Sequence, residues 1–163
     1  MQSMITPCLW FDHQAEDAAK YYIAIFKNSK ITAISRYGEA GQKIHGQKPG
    51  SVMTVEFELN GQSFTALNGG PVFKLNEAVS FQVECETQQE LDYYWEKLSA
   101  DSDPAAQQCG WLKDKFGLSW QVVPKILRKL LMDRDTTKSQ RVMQALLQMK
   151  KLDIEALQRA FAD

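Results

Sequence analysis

The chain has 163 residues, of which 44% are hydrophobic and 24% charged, and its formal net charge is −1 at pH 7. This length predicts one domain, or two small halves with a shared core, and is enough to bury a sizeable core. The balanced charge leaves no surplus of cations to neutralise phosphates, which argues against a nucleic-acid partner. No apolar run approaches the roughly 20 residues that span a bilayer, so no membrane segment is expected.

The first half of the chain alternates strand-like and helix-like stretches. Residues 15–26 carry apolar side chains at three- and four-residue steps, as on one face of a helix. Asn60-Gly61 is a strong hairpin signal between two strand-like runs. A glycine-rich stretch, 38–50, predicts a loop. The predicted order is β-α-β-β-β, with strands at 5–11, 30–37, 51–59 and 62–68 and the helix at 15–26.

The same order is predicted again in the second half. A strand at 78–85 precedes a helix whose start is marked by Thr87 and Glu90, the two polar residues of a capping box. The stretch 109–124 then predicts a hairpin with its turn at 114–117. A second β-α-β-β-β module is expected from this pattern.

The second strand of that hairpin has two different faces. Leu118, Trp120 and Val122 alternate with Ser119 and Gln121. We therefore expect one face to be covered by the core and the other to line a cavity or a polar seam.

A helical tail follows at 125–163. It carries nine Lys and Arg and five Asp and Glu, a net charge of +4, which leaves −5 on residues 1–124. Its apolar stripes need a partner surface, either on its own domain or on a second subunit. A peptide- or nucleic-acid-binding arm is the alternative interpretation.

The cysteines and the first residues predict a cellular location. Cys8, Cys85 and Cys109 are far apart and lack a Cys-x-x-Cys spacing, as expected for reduced thiols with neither disulfides nor a zinc site. The first thirteen residues lack the basic segment and the apolar core of a signal peptide. A cytoplasmic protein is expected.

Three stretches together carry a family resemblance: Ile5-Thr6-Pro7-Cys8-Leu9-Trp10-Phe11, residues 15–26 and the hairpin 109–124. They resemble the PhnB-like branch of the vicinal-oxygen-chelate superfamily (glyoxalase, bleomycin-resistance and dioxygenase proteins), which is often labelled 3-demethylubiquinone-9 3-methyltransferase. The resemblance implies an α+β fold at 1–124, in which modules 4–71 and 78–124 form a curved mixed sheet around a cleft. It also implies a homodimer.

Metal-dependent members of this superfamily bind a divalent ion through four side chains of His, Glu or Gln type. The corresponding positions here are Pro7, Ala66 or its neighbourhood, Ser80 and Gln121, and only Gln121 is a plausible ligand. If the correspondence is shifted by one residue, the positions become Thr6, Leu67, Phe81 or Trp120, and the set of metal ligands is still not restored. The sequence therefore predicts no metal and no other cofactor.

The resemblance also implies a cleft in which a few polar groups lie in an apolar wall, as in a small-molecule pocket. The alternative is that the polar groups satisfy one another. His13 and Gln121 are weak catalytic candidates, and His45 would be another if its loop reached the cleft. The predicted pocket residues are Leu9, Phe11, Phe64, Asn68, Ser80, Gln82, Ser119 and Gln121.

The leading hypothesis is a small-molecule-binding protein without a glyoxalase-type metal centre. An enzyme acting on a small oxygenated or aromatic substrate is the second hypothesis, and a scaffold that uses the basic tail is the third. A methyltransferase of the doubly wound kind needs a strand, a glycine-rich turn and a helix to hold its cofactor. Gly69-Gly70 leads into Pro71 instead, which argues against that activity.

Overall fold

The computed structural model describes residues 4–162, which form two compact units. The first unit ends at Leu75 and the second begins at Asn76. Each unit packs one long helix on a small mixed sheet, and the second unit also contains the helical tail. The predicted α+β class is confirmed. Among the described residues, no helix is long and apolar enough to cross a membrane.

The first unit has the predicted β-α-β-β-β order. Its four-stranded sheet has the order β1-β4-β3-β2, with β1 parallel to β4 and the other neighbours antiparallel. A four-residue helix lies in the predicted glycine-rich loop. The elements are β1 (Cys8–Phe11), α1 (Ala15–Ile25), β2 (Lys30–Arg36), α2 (Gln42–His45), β3 (Val52–Leu59) and β4 (Gln62–Asn68).

The core of the first unit lies between α1 and one face of this sheet. Tyr22 of α1 stacks on Phe57 of β3, with 6.2 Å between the ring centroids. Phe57 in turn stacks on its cross-strand neighbour Phe64 at 5.4 Å. The predicted hairpin at Asn60-Gly61 is confirmed, because both residues have the positive φ angles (47° and 82°) that a type I′ turn requires.

The second unit has three strands, one fewer than the predicted β-α-β-β-β. Its sheet has the order β5-β7-β6, with β5 parallel to β7 and β6 antiparallel to β7. The segment before β6 forms a 3₁₀ turn, Pro104–Ala106, which Asp103 caps by accepting a hydrogen bond from the Ala105 N–H. The elements are β5 (Ser80–Cys85), α3 (Gln88–Leu98), β6 (Trp111–Lys113) and β7 (Ser119–Pro124).

The tail belongs to the second unit and consists of three helices that pack on one another: α4 (Ile126–Leu131), α5 (Thr136–Leu147) and α6 (Ile154–Ala162). Between α5 and α6, the carbonyls of Met149 and Lys150 accept backbone hydrogen bonds from the N–H groups of residues 109 and 110. The Gln88 side chain of α3 also donates to the Leu152 carbonyl and accepts from the Ile154 N–H. Hydrogen bonds therefore attach the tail to the backbone of the residues that precede β6 and to the Gln88 side chain of α3, in addition to the packing of its helices.

Candidate functional site

The sheet of the second unit has a covered face and a second face, which we call the open face. Val83, Cys85, Trp120 and Val122 are 0–8% exposed and lie on the side of the buried α3 residues. Strand alternation puts the intervening residues on the opposite side. The open face is defined by Ser80, Gln82, Glu84, Trp111, Lys113, Ser119, Gln121 and Val123.

A chain of side-chain hydrogen bonds crosses this open face. The Gln121 amide nitrogen donates to the Ser80 hydroxyl oxygen at 2.9 Å. The Gln82 amide nitrogen donates to the Gln121 amide oxygen at 3.1 Å. Three of the predicted pocket residues are therefore brought together, and they partly satisfy one another.

Ser119 differs from its neighbours on the open face because it is fully buried and takes no part in their hydrogen bonds. The residue is 1% exposed. Among the buried side-chain nitrogen and oxygen atoms of residues 4–162, its hydroxyl oxygen is the one without a hydrogen-bond partner. It lies beside Ser80, with which it is paired across the parallel strands. A buried hydroxyl without a partner is costly, so this atom marks a place where a ligand or a water has a hydrogen bond to make.

Lys113 and Trp111 of β6 border the same network. Lys113 is paired across the strands with Ser119, and Trp111 with Gln121. The Lys113 ammonium forms an ion pair with Glu77. The hydrogen bond from Lys113 lowers the pKa of the Glu77 carboxyl group, so Glu77 is an anion at neutral pH.

The hairpin turn fixes the position of Ser119 and Gln121. Asp114 is 3% exposed, and one of its carboxylate oxygens accepts hydrogen bonds from the backbone N–H groups of Phe116 (2.8 Å) and Leu118 (3.1 Å). The other oxygen accepts from the Trp120 indole N–H at 2.8 Å. One carboxylate thus ties the turn to the strand that carries both polar side chains.

The predicted pocket residues of the first unit lie in its core. Leu9, Phe11 and Phe64 are 3–6% exposed and face α1. Asn68, which is 7% exposed, accepts a hydrogen bond from the Ala15 N–H at 2.8 Å, and its amide nitrogen donates to the Val52 carbonyl at 3.1 Å. The side chain of Asn68 therefore joins the start of α1 to β3.

The positions that correspond to metal ligands fall on different faces in the two units. Ala66 is fully buried on the α1 side of its sheet, and the Pro7 carbonyl accepts the backbone hydrogen bond of Thr65. Ser80 and Gln121 lie on the open face of the second sheet. No group of three or more His, Cys, Asp and Glu side chains is arranged to hold a metal among the described residues.

The two histidines lie in the first unit. The His13 side chain is 77% exposed and has Asp12 as its neighbour, with Nδ1 3.4 Å from the carboxylate. The His45 ring packs on Tyr37 with 4.6 Å between the centroids, and its Nδ1 accepts a hydrogen bond from the Gln47 N–H. His45 thus has a visible role in holding its own loop.

Two surface grooves were not predicted from the sequence. One, of about 370 Å³, lies on the first unit, and its lining includes Glu56 and Glu58, which the alternation of β3 places on one face. The other, of about 690 Å³, lies along α4. The charges could be read from the sequence, but a groove depends on packing that periodicity does not reveal. The lining of the α4 groove is Lys125, Arg128, Lys129, Met132, Asp133 and Arg134.

The thiols differ in their environments. Burial, with a smaller contribution from the Glu90 charge, raises the pKa of Cys85 to about 12. Burial also raises the pKa of the Cys8 thiol. Neither thiol is activated as a nucleophile, because a nucleophilic cysteine needs a lowered pKa or a neighbouring base.

The fold and the pattern of its motifs define the class of protein. A mixed sheet with one helix across it, repeated in two modules, is the architecture that the vicinal-oxygen-chelate resemblance implies. The family model of 3-demethylubiquinone-9 3-methyltransferase matches residues 3–123. The chain belongs to this family, the PhnB-like branch of the superfamily. The match ends inside β7, so α4–α6 lie outside it.

Solved structures agree with this assignment. A PhnB protein from Bacillus cereus, which carries the same methyltransferase description, is 36% identical, with a TM-score of 0.63 over 74% of this chain and 99% of its own. Protein PA1353 from Pseudomonas aeruginosa shares the fold at 16% identity, with a TM-score of 0.55 over 76% of this chain and 97% of its own. No functionally curated protein matches the chain.

Proposed function

We propose that the protein binds a small organic molecule on the open face of its second unit. The observation that carries this proposal is the buried, unpartnered hydroxyl of Ser119 beside the hydrogen-bonded side chains of Ser80, Gln82 and Gln121. A buried hydroxyl without a partner costs about 1–3 kcal/mol. A ligand that supplies the missing hydrogen bond recovers this cost and gains affinity from it.

The first unit has a supporting part in this proposal. Leu9, Phe11 and Phe64 form the framework of its sheet, and Asn68 holds α1 against that sheet. We assign direct ligand contacts to the polar residues of the second unit, because their side chains keep unused hydrogen-bonding capacity.

A thermal-shift screen of small polar organic compounds tests the proposal, because a ligand of the folded state raises the melting temperature. We expect hits whose shift is reduced at least threefold in Ser119→Ala and in Gln121→Ala. Ser63→Ala, an equally small change on the first unit, is the control and should keep the full shift. Hits that respond equally to all three changes, or no hits at all, would refute the proposal.

An enzyme acting on such a ligand is the second candidate. Its support is the position of Gln121, which is part-buried in the middle of the hydrogen-bond chain and could contact a bound substrate. His13 is a weaker candidate because it is exposed to solvent. The test is a thermal melt of chelator-treated protein with Mn²⁺, Co²⁺, Ni²⁺ or Zn²⁺. A stabilisation that is lost in Gln121→Ala would favour a metal-assisted enzyme.

The α4 groove supports a third candidate, a scaffold function of the tail. Arg128, Lys129 and Arg134 line the groove around Met132, which is 70% exposed. Cations around an apolar side chain suit an acidic peptide that carries an apolar residue. Binding of a fluorescent Asp/Glu-rich peptide with one Leu, weakened in Arg128→Glu but not in Lys30→Glu, would favour this candidate.

The proposal also includes a cytoplasmic homodimer. Its support is a set of exposed apolar side chains in the first unit, together with three free cysteines in the chain. Sedimentation equilibrium at micromolar concentration should give twice the monomer mass, and Phe73→Glu should lower it. The exposed side chains of this set are Met4, Ile5, Val72 and Phe73.

A further inference from the structure

The hydrogen-bonding capacity left over on the open face indicates the class of ligand. We propose that the site recognises a small carboxylic acid, whose carboxylate binds to Ser119, Ser80 and Lys113 and whose planar apolar part lies against Trp111. This inference rests on the proposed function and makes its ligand more specific. It follows from a count of donors, from the local charge and from the one large ring on this face.

Two hydroxyl protons remain available for donation at the Ser80 end of the network. The Ser80 oxygen already accepts from Gln121, which leaves the Ser80 hydroxyl proton to be donated. The Ser119 hydroxyl has its proton and no partner. The two serines are paired on neighbouring parallel strands, so their side chains leave the sheet side by side on the same face. Two adjacent O–H donors call for an acceptor, and a carboxylate presents two oxygens.

The charge next to these donors has the matching sign. Lys113 is the cross-strand partner of Ser119 on this face, and its side chain is 31% exposed. Its present counter-ion is the carboxylate of Glu77, whose side chain is 63% exposed. An ion pair this open to water contributes little to stability, so a ligand can displace Glu77 at small cost. The pair with Glu77 therefore shows that the Lys113 ammonium binds a carboxylate group in this position.

The apolar part of the ligand is indicated by Trp111. This residue is paired with Gln121 on the same face, and its ring is part-buried at the edge of the network. Glu84 also belongs to this face, but it lies two residues beyond Gln82, at the far end of β5 from Ser80. A planar acid can thus place its charge at Lys113 and its ring against Trp111 while avoiding the Glu84 carboxylate. The two serine hydroxyls would also bind such a carboxylate more strongly than a neutral group, because hydrogen bonds to a charged acceptor are stronger than those to a neutral one.

Benzoate and benzamide test the inference, because they have nearly the same shape and differ in charge. We expect titration calorimetry of the full chain at pH 7 to give at least tenfold tighter binding of benzoate. Lys113→Met should abolish this preference, and Ser119→Ala should weaken benzoate binding at least threefold. Lys30→Met, which breaks a similarly exposed ion pair with Glu58 on the first unit, is the matched control and should change neither affinity.

A fourth variant should bind more tightly. Glu77→Gln removes the carboxylate that competes for Lys113, so benzoate affinity should rise severalfold while benzamide affinity stays the same. Circular dichroism confirms that each variant is folded.

Other results would overturn the inference without removing the proposed function. Equal binding of both probes, weakened by Ser119→Ala, would keep a small-molecule site on this face and refute recognition of an anion. Benzoate binding that is unchanged in Lys113→Met would place the anion elsewhere and overturn the inference. Absence of benzoate binding would also overturn it, whereas the proposed function would still be judged by the compound screen.

Discussion

Asp114 offers a sharp test of how the hairpin is stabilised. Its carboxylate accepts three hydrogen bonds, from two backbone N–H groups of the turn and from the Trp120 indole, and the residue is 3% exposed. Asp114→Ala leaves these three donors unsatisfied. Each lost bond to a charged group costs about 1.5–3 kcal/mol, partly offset by water entering the turn. We expect urea denaturation to show a loss of about 3–5 kcal/mol.

A double-mutant cycle isolates the bond to the indole. Asp114→Asn keeps an oxygen that can accept from the turn, but it places an NH₂ donor against the Trp120 N–H donor. Trp120→Phe removes the indole donor. The two changes should therefore be less harmful together than their sum, by about 1 kcal/mol. A cost below about 1 kcal/mol for Asp114→Ala, or additive effects in the cycle, would show that the carboxylate does not organise this hairpin. Lys43→Ala, a change at an exposed residue of the first unit, serves as the control.

Three further predictions concern the rest of the chain. Cys85, with a pKa of about 12, should resist iodoacetamide at pH 8 until the protein unfolds, as followed by mass spectrometry; modification under native conditions would contradict its burial. Hydrogen bonding to Lys151 lowers the pKa of Asp92 below its usual 3.8, so this contribution to stability is present above that pH and is lost as the pH falls through the lowered value. Asp92→Asn should therefore remove about 0.5 kcal/mol at pH 7 and less than that at pH 2.5, whereas an equal loss at both would exclude the ion pair as the cause. Gly69→Ala would bring a Cβ to 2.2 Å from the Trp10 ring and should destabilise by about 1–3 kcal/mol in urea; an unchanged midpoint would show that the ring moves aside freely.

The elements that were predicted well are those with strong local signals. The strand 62–68 has the predicted bounds, and Thr87 accepts the expected N-cap hydrogen bond from the Glu90 N–H. The turn at 114–117 also forms, with a 2.9 Å bond from the Gly117 N–H to the Asp114 carbonyl. In each of these cases the conformation is determined by residues within a few positions of one another.

The site was harder to predict, because alternation separates two faces of a strand without showing which one a helix covers. Asn68 is polar and was predicted to line a pocket, but its amide satisfies the backbone at the start of α1, 53 residues away in sequence. Gln121 was predicted to face a polar seam, and it does so through Ser80 and Gln82. The difference lies in long-range packing, which a single sequence does not display.

The docking of the tail was also beyond local patterns. The contacts of residues 149 and 150 with the backbone before β6 come from a short connection that has no periodicity. The basic charge of the tail indicated an electrostatic role, and two of its lysines do form ion pairs outside the tail: Lys125 with Glu86, and Lys151 with Asp92 of α3. Shape and backbone hydrogen bonding decide where the tail packs, and charge adds to that choice.

The geometry also bears on the methyltransferase description of the family. A doubly wound methyltransferase holds its cofactor where a parallel strand runs through a glycine-rich turn into a helix. Here Gly69-Gly70 follows β4 and leads, without a helix, through residues 71–79 to β5. Gly69 also lies against the Trp10 ring, whose indole N–H donates to the Gly70 carbonyl, so this turn is filled by the protein's own side chain. The glycines serve packing in the first unit, and the unused hydrogen-bonding capacity lies at Ser119 in the second, which is where a search for the activity of this chain should begin.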